Sequence, residues 1–148
     1  MSPEMAKLLI VDDSRMIRTM LRGLLQGLGI GRIDEAPDGA AALELFHLTA
    51  YDLVLTDWNM PRLTGLELLR MIRHGPVRSD TAVLLISGDV TAGRIVEASG
   101  AGATGFVAKP FAVKLLREQV QRIISELPQV DELAQSSEGE ASVEASFH

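Results

Sequence analysis

Three short apolar blocks constrain this chain more than anything else in it: LLIV at 8–11, LVLT at 53–56 and AVLLIS at 82–87 have strand length without polar alternation. A strand with one wet face alternates apolar and polar residues, whereas a parallel strand covered by helices on both faces does not. Two weaker blocks, RIDEA at 32–36 and GFVA at 105–108, complete a set of five. Between the blocks the period becomes helical. Met16, Ile17, Met20, Leu21, Leu24, Leu25 and Leu28 recur at spacings of one, three and four, which predicts a single apolar face. Leu43 and Phe46 mark a second helix with Asp38 as its cap, and Leu66, Leu69 and Ile72 mark a third. Val113, Leu116, Val120, Ile123 and Leu127 mark the last, which Pro128 ends. Right-handed crossovers between such strands put helices on both sides of the sheet. The expected fold is therefore α/β: a doubly wound, five-stranded parallel sheet flanked by five helices.

With 148 residues, 47% of them hydrophobic, the chain fits one ordinary domain with a full core. No apolar run reaches the ~18 residues of a membrane span, and the N-terminal apolar block is too short, and too soon ended by acids, for a signal peptide. With no cysteine there is no disulfide and no thiolate chemistry. A cytoplasmic location without membrane attachment is expected. The net charge of -6 argues against nucleic acid as a partner. Five of those charges, Asp131, Glu132, Glu138, Glu140 and Glu144, fall after Pro128, which leaves the body at -1. Residues 128–148 lose periodicity and gain Ser, Glu and Ala, so they are expected to form an acidic disordered tail behind a domain at 5–127.

In an open α/β sheet the site lies where loops leave the carboxyl ends of the strands. The first strand ends in Asp12 and Asp13, the third in Asp57 and the fourth in Ser87, while Lys109 and Pro110 follow the fifth. Three carboxylates, a hydroxyl and an ammonium are thus expected to converge. Two unit charges about 4 Å apart repel by roughly 4 kcal/mol at an effective dielectric of about 20, so such a cluster calls for a cation or a proton. Oxygen donors without histidine suit a hard divalent ion such as Mg²⁺. A carboxylate beside a divalent ion, an ammonium and a hydroxyl is a set of groups suited to forming an aspartyl phosphate.

The motifs IVDDS at 10–14, TDWNMPRLTGLELL at 56–69, SGD at 87–89 and KPF at 109–111 resemble the receiver domain of two-component response regulators, and among these the stand-alone chemotaxis regulators. The resemblance spans about residues 5–127 and implies a flavodoxin-like fold. It implies that Asp57 is the phosphoacceptor, that Asp12, Asp13, Asp57 and the Asn59 main-chain carbonyl hold Mg²⁺ (Asp12 largely through water), and that Ser87 and Lys109 bind the phosphoryl oxygens. Ser87 and residue 106 would form the switch. Position 106 is Phe where the chemotaxis regulators usually carry Tyr, so a rotamer change can persist but a phenol hydroxyl cannot act at a partner. The donor would be a histidine kinase or histidine phosphotransfer protein, and the output a protein effector on the face made by the fourth helix, fifth strand and fifth helix. The implied role is a signalling switch with intrinsic self-phosphorylation and autodephosphorylation rather than an enzyme. Two other functions suit the same residues: a phosphoryl relay or kinase-blocking module without its own output, and a Mg²⁺-dependent phosphohydrolase with Asp57 as nucleophile. The resemblance also implies a cis Lys109–Pro110 bond.

Simpler roles apply to several residues taken alone. Asp12 and Asp13 could cap the first helix, and Ser87 and Lys109 could be ordinary loop residues. Trp58 reads as a surface aromatic, which the resemblance would turn into a reporter of metal and phosphate. Arg15, Arg18 and Arg22 form a basic stripe, either solvated or turned to an acidic phosphodonor. GAGATG at 100–105 follows a helix and enters a strand, the reverse of a dinucleotide fingerprint, and reads as a joint. The segment from Val90 to Gly100 has few large apolar groups, so the fourth helix is expected to be the least firmly packed. His47, His74 and His148 are scattered and read as solvated.

Overall fold

A computed structural model describes residues 1–128. The expected tail, and His148 with it, lies outside the described residues beyond Pro128. After a 3-10 turn at Pro3–Met5 the chain forms β1 (Lys7–Val11), α1 (Arg15–Gly27), β2 (Arg32–Ala36), α2 (Gly39–Leu48), β3 (Leu53–Asp57), α3 (Gly65–His74), β4 (Ala82–Ser87), α4 (Ala92–Gly100), β5 (Gly105–Ala108) and α5 (Val113–Glu126). All strand pairs are parallel, in the order β2-β1-β3-β4-β5. This is the doubly wound, flavodoxin-like arrangement expected from the alternation of blocks. Among the described residues no helix is long and apolar enough to cross a membrane.

The missing polar alternation has a direct cause, because each central strand feeds two cores at once. Leu8, Ile10, Leu53, Leu55, Leu84 and Ile86 face α1 and α5, where they meet Leu21, Leu25, Leu116, Val120 and Ile123. Leu9, Val11, Val54, Val83 and Leu85 face the other way, onto Phe46, Leu66, Leu69, Ile72 and Ala98 of α2, α3 and α4. The apolar set of α1 is wider than the stripe one sheet can cover. Ile17, Leu21, Leu24, Leu25 and Leu28 pack inward, while Met16 and Met20, expected on the same face, are exposed. Val113, at the first turn of α5, is likewise half exposed. α4 buries one residue, Ala98.

The helices begin where their caps dictate. Ser14 accepts from the Ile17 amide, so neither Asp12 nor Asp13 caps α1; Asp38 accepts from the Ala41 amide at α2. At α3, Thr64 and Glu67 exchange side-chain bonds with each other's main chain in a capping box. That cap aims the start of α3 back at the end of β3, where the Gly65 amide donates to the Trp58 carbonyl at 2.9 Å. A Cβ at Gly65 would lie 2.2 Å from the Asp57 carbonyl oxygen and 3.0 Å from the Trp58 Cα. No flexible side chain can yield there, so Gly65 sets how closely α3 approaches the end of β3. Gly65→Ala should destabilise the fold by roughly 1–3 kcal/mol, as overpacking against backbone does, measured by urea melts against wild type. Stability equal to wild type would show that the β3–α3 junction gives way freely.

Candidate functional site

The order of the strands decides which groups can meet. β1 sits between β2 and β3, so the chain leaves it once in each direction and opens a crevice above the carboxyl ends of β1 and β3. Asp12 and Asp13 leave β1 there, Asp57 ends β3, Ser87 ends β4, and β5 runs into Lys109. The structure brings the three aspartates together: one carboxylate oxygen from each of Asp12, Asp13 and Asp57 lies within 4.8 Å of the others. Asp12 and Asp57 are buried and Asp13 is exposed, giving the cluster two inner acids and one at its mouth.

Lys109 ties the inner acids together. Its ammonium lies 3.1 Å from Asp12 Oδ2 and 3.4 Å from Asp57 Oδ1. The Lys109 amide donates to the Ser87 carbonyl at 2.8 Å, and the Lys109–Pro110 peptide is cis. Burial pushes the Asp57 carboxyl above its ordinary pKa, and the Asp12 charge adds to the effect; Lys109 and a hydrogen bond from the Asn59 main chain act against it. Burial acts to lower the Lys109 ammonium, but its hydrogen bond and charge contact with Asp12, followed by Asp57, prevail and raise it. The pocket thus holds a reluctant anion beside a firmly held cation. Its oxygen-only donor set, two parts sheltered and one part open, fits a hard divalent ion.

The other expected residues are placed less simply. Ser87 Oγ is 3.1 Å from the Asp89 amide that donates to it, and it donates to the Asp89 carbonyl at 3.3 Å. Asn59 is exposed, and its side-chain oxygen accepts from Arg94 at 3.2 Å. Trp58 is not a surface aromatic: only 5% exposed, it packs in the second core, edge-on to Phe106 with centroids 5.9 Å apart. Burial follows from its position, since the residue after Asp57 turns under the α3 N-terminus. Phe106 borders a recess of about 200 Å³ between α4 and β5, lined also by Ile95, Ala98 and Ala103.

The basic stripe is neither solvated nor free for docking as a whole. Arg18 and Arg22 grip the two carboxylate oxygens of Glu35 on β2, at 3.1 and 2.5 Å, while Arg15 is exposed. Arg18 also donates to the Asp12 main-chain carbonyl at 2.7 Å, which fixes the loop carrying the paired acids. The Arg22 hydrogen bond holds the Glu35 carboxyl below its usual range. Periodicity placed these arginines on a helix face but could not reveal a carboxylate on a neighbouring strand. Arg94 was also outside the motifs: from the first turn of α4 it reaches Ser87 Oγ at 3.0 Å and Asn59, with its guanidinium carbon 4.6 Å from the centre of the Trp58 ring. Its one advance signal is an arginine seven residues after Ser87 in a helix leaving the site.

Comparison with known proteins bears on the family and the fold. The response regulator receiver domain family model matches residues 8–121. The chemotaxis protein CheY of Pseudomonas aeruginosa is 39% identical over 117 residues, covering 79% of this chain and 94% of that protein. The chemotaxis protein CheY-3 of Vibrio cholerae is 38% identical over 121 residues, covering 82% of this chain and 93% of that protein. Among solved structures, Vibrio cholerae CheY4 superposes with a TM-score of 0.75 at 34% identity, covering 80% of this chain and 98% of that one.

The raised Asp57 pKa fixes the sign of a stability effect. A carboxyl whose folded pKa lies above its unfolded value favours the folded state while protonated, and that contribution is lost as pH rises through the folded pKa. Asp57→Asn keeps the shape and removes the charge. Without divalent ions the variant should be close to wild type in stability near pH 4, around the unfolded pKa, and should exceed it by roughly 1–2 kcal/mol at neutral pH. Urea melts in chelator across that range check the prediction. A variant less stable than wild type at neutral pH would mean that attraction to Lys109 outweighs burial and the repulsion from Asp12.

Proposed function

The chain belongs to the response regulator receiver domain family, and on that footing we propose that it is a phosphorylation-operated switch with Asp57 as phosphoacceptor. The observation that carries this reading is the contact of one ammonium, Lys109, with both buried acids at the ends of β1 and β3. An aspartate placed only for stability has no reason to be buried against a second one.

The working unit is residues 5–127. A histidine kinase or histidine phosphotransfer protein presents its phosphoryl group at the open mouth beside Asp13. An Asp57 carboxylate oxygen attacks phosphorus in line, and the donor's bond to phosphorus breaks as the new one forms. Lys109 is already held in place by Asp12, so it can follow the negative charge onto the phosphoryl oxygens without reorganising. Asp12, Asp13, Asp57 and the Asn59 carbonyl would hold Mg²⁺, which when bound balances the charge of the phosphoryl oxygens. Ser87 Oγ turns from the Asp89 main chain to donate to a phosphoryl oxygen. Phe106 follows into the recess between α4 and β5, and this alters the outer face of α4, β5 and α5. Ile95, Val96, Val113 and Leu115 stand exposed on those helices, an apolar surface that suits a protein effector. The relatives named for chemotaxis make a cytoplasmic chemotaxis pathway the first to try, with Phe106 as this chain's departure.

Acetyl phosphate with Mg²⁺ should label wild type on one residue, and Asp57→Asn should abolish the label, as read by intact mass and by phosphorus NMR. Full labelling of the variant would remove Asp57 from its role. Mg²⁺ alone should change Trp58 fluorescence, because the indole adjoins Asp57; an unchanged spectrum at millimolar metal, with binding shown by calorimetry, would count against the ligand set.

A further inference from the structure

Arg94 belongs to none of the groups that bind or receive phosphate, yet its side chain meets both Ser87 and the ring that touches Phe106. Its Nη1 donates to Ser87 Oγ at 3.0 Å and to Asn59 Oδ1 at 3.2 Å, and its Nε lies 3.8 Å from Asp89 Oδ2. Its guanidinium stacks on Trp58, the ring that touches Phe106. The side chain is 24% exposed, so these contacts are largely sheltered. These contacts lie on the flanks of the acceptor, at Ser87, Asn59, Asp89 and Trp58.

Two further observations give these contacts their meaning. Ser87 is fully engaged where it stands: it accepts from the Asp89 amide and from Arg94, and it donates to the Asp89 carbonyl. Two of those bonds are local to its own loop. The third is the one that reaches into another element, α4, which buries a single residue and has a cavity of about 200 Å³ between itself and β5. A helix with so little apolar anchorage depends on whatever polar ties it has.

From this we propose that Arg94 is a positioning residue that latches the resting state, holding the Ser87 hydroxyl in its loop and pinning the first turn of α4 to Trp58. The proposal rests on the switch reading above. Drawing Ser87 toward a phosphoryl group on Asp57 competes with the Arg94 bond; once that bond is given up, the guanidinium loses its hold beside Trp58, and α4 is released in the same step that frees Phe106. The latch sets how much phosphate binding is spent on opening the switch.

The test uses the full chain, with beryllium fluoride and Mg²⁺ as the probe. Arg94→Met keeps the length and apolar stem while removing the hydrogen bonds, and Arg94→Lys keeps the charge but not the fork. By calorimetry the Met variant should bind the beryllium fluoride complex about three- to tenfold more tightly than wild type, the factor expected when the competing state loses one partly exposed charge-assisted hydrogen bond, with the Lys variant between them. Hydrogen exchange of metal-free, unliganded protein supplies a readout that does not pass through the acceptor. α4 amides should exchange faster in the Met variant while those of β1 and β3 keep their wild-type protection. Equal or weaker binding in both variants, or α4 protection unchanged in the Met variant, overturns the latch. Failure of wild type itself to bind the probe overturns the phosphoacceptor reading, and the latch with it.

Discussion

Two carboxylates, Asp12 and Asp57, are buried side by side at the ends of adjacent strands, and one ammonium touches both. Much of the surrounding structure serves to hold that unfavourable pair in place. Parallel pairing of β1 with β3 aligns Val11 with Thr56 and so delivers the two acids at one level. β5 lies two strands beyond β3, so Lys109 must reach back across the sheet, and the hydrogen bond from its main-chain amide to the Ser87 carbonyl anchors it at the end of β4. Arg18 holds the Asp12 carbonyl from behind, with Glu35 balancing its charge. Like charges in a sheltered crevice repel, and the core contacts of two sheet faces supply what resists them.

Much of this was legible in the sequence, for physical reasons that differ from element to element. The central strands were readable because burial on both faces forces every position to be apolar, as in LLIV and AVLLIS. The α2 cap at Asp38 and the third helix were readable because capping and helical period are local. Asp12, Asp13, Asp57 and Lys109 could be brought together because topology alone puts strand ends at one edge. What could not be read depends on which side chain meets which after folding. Met16 and Met20 share the period of Leu21 and Leu25, but the sheet is not wide enough to cover all of them. Trp58 looked like a surface residue because its neighbours in sequence are turn formers, while in space it lies under α3 and against Phe106. Arg18 and Arg22 carry no local sign of their partner, since Glu35 lies on another element, and Arg94 offers only its nearness in sequence to Ser87.

The two sides of the molecule are built to different standards. α1 and α5 close over a core that includes Leu21, Leu25, Leu116, Val120 and Ile123, all nearly inaccessible. On the opposite side α2 and α3 are similarly secured, by Phe46, Leu68, Leu69 and Ile72. α4 stands apart, attached through Ala98, a capping threonine and an arginine that reaches sideways. A site that changes by a bond or two can move such a helix, whereas it could not move one sunk into the core. The acids thus sit among firmly packed elements, while α4 is only loosely seated.

The shallow seating of α4 and the short β5 also has a consequence for how such a chain can diverge. Most substitutions are tolerated only where little packing is lost, and here the least packed region is the one that exposes several large apolar side chains. Ile95, Val96, Val113 and Leu115 can be exchanged at small cost to the fold, because none of them is buried and none supports the acids. Substitution on this side of the molecule is thus free of the constraints that hold the acidic pocket.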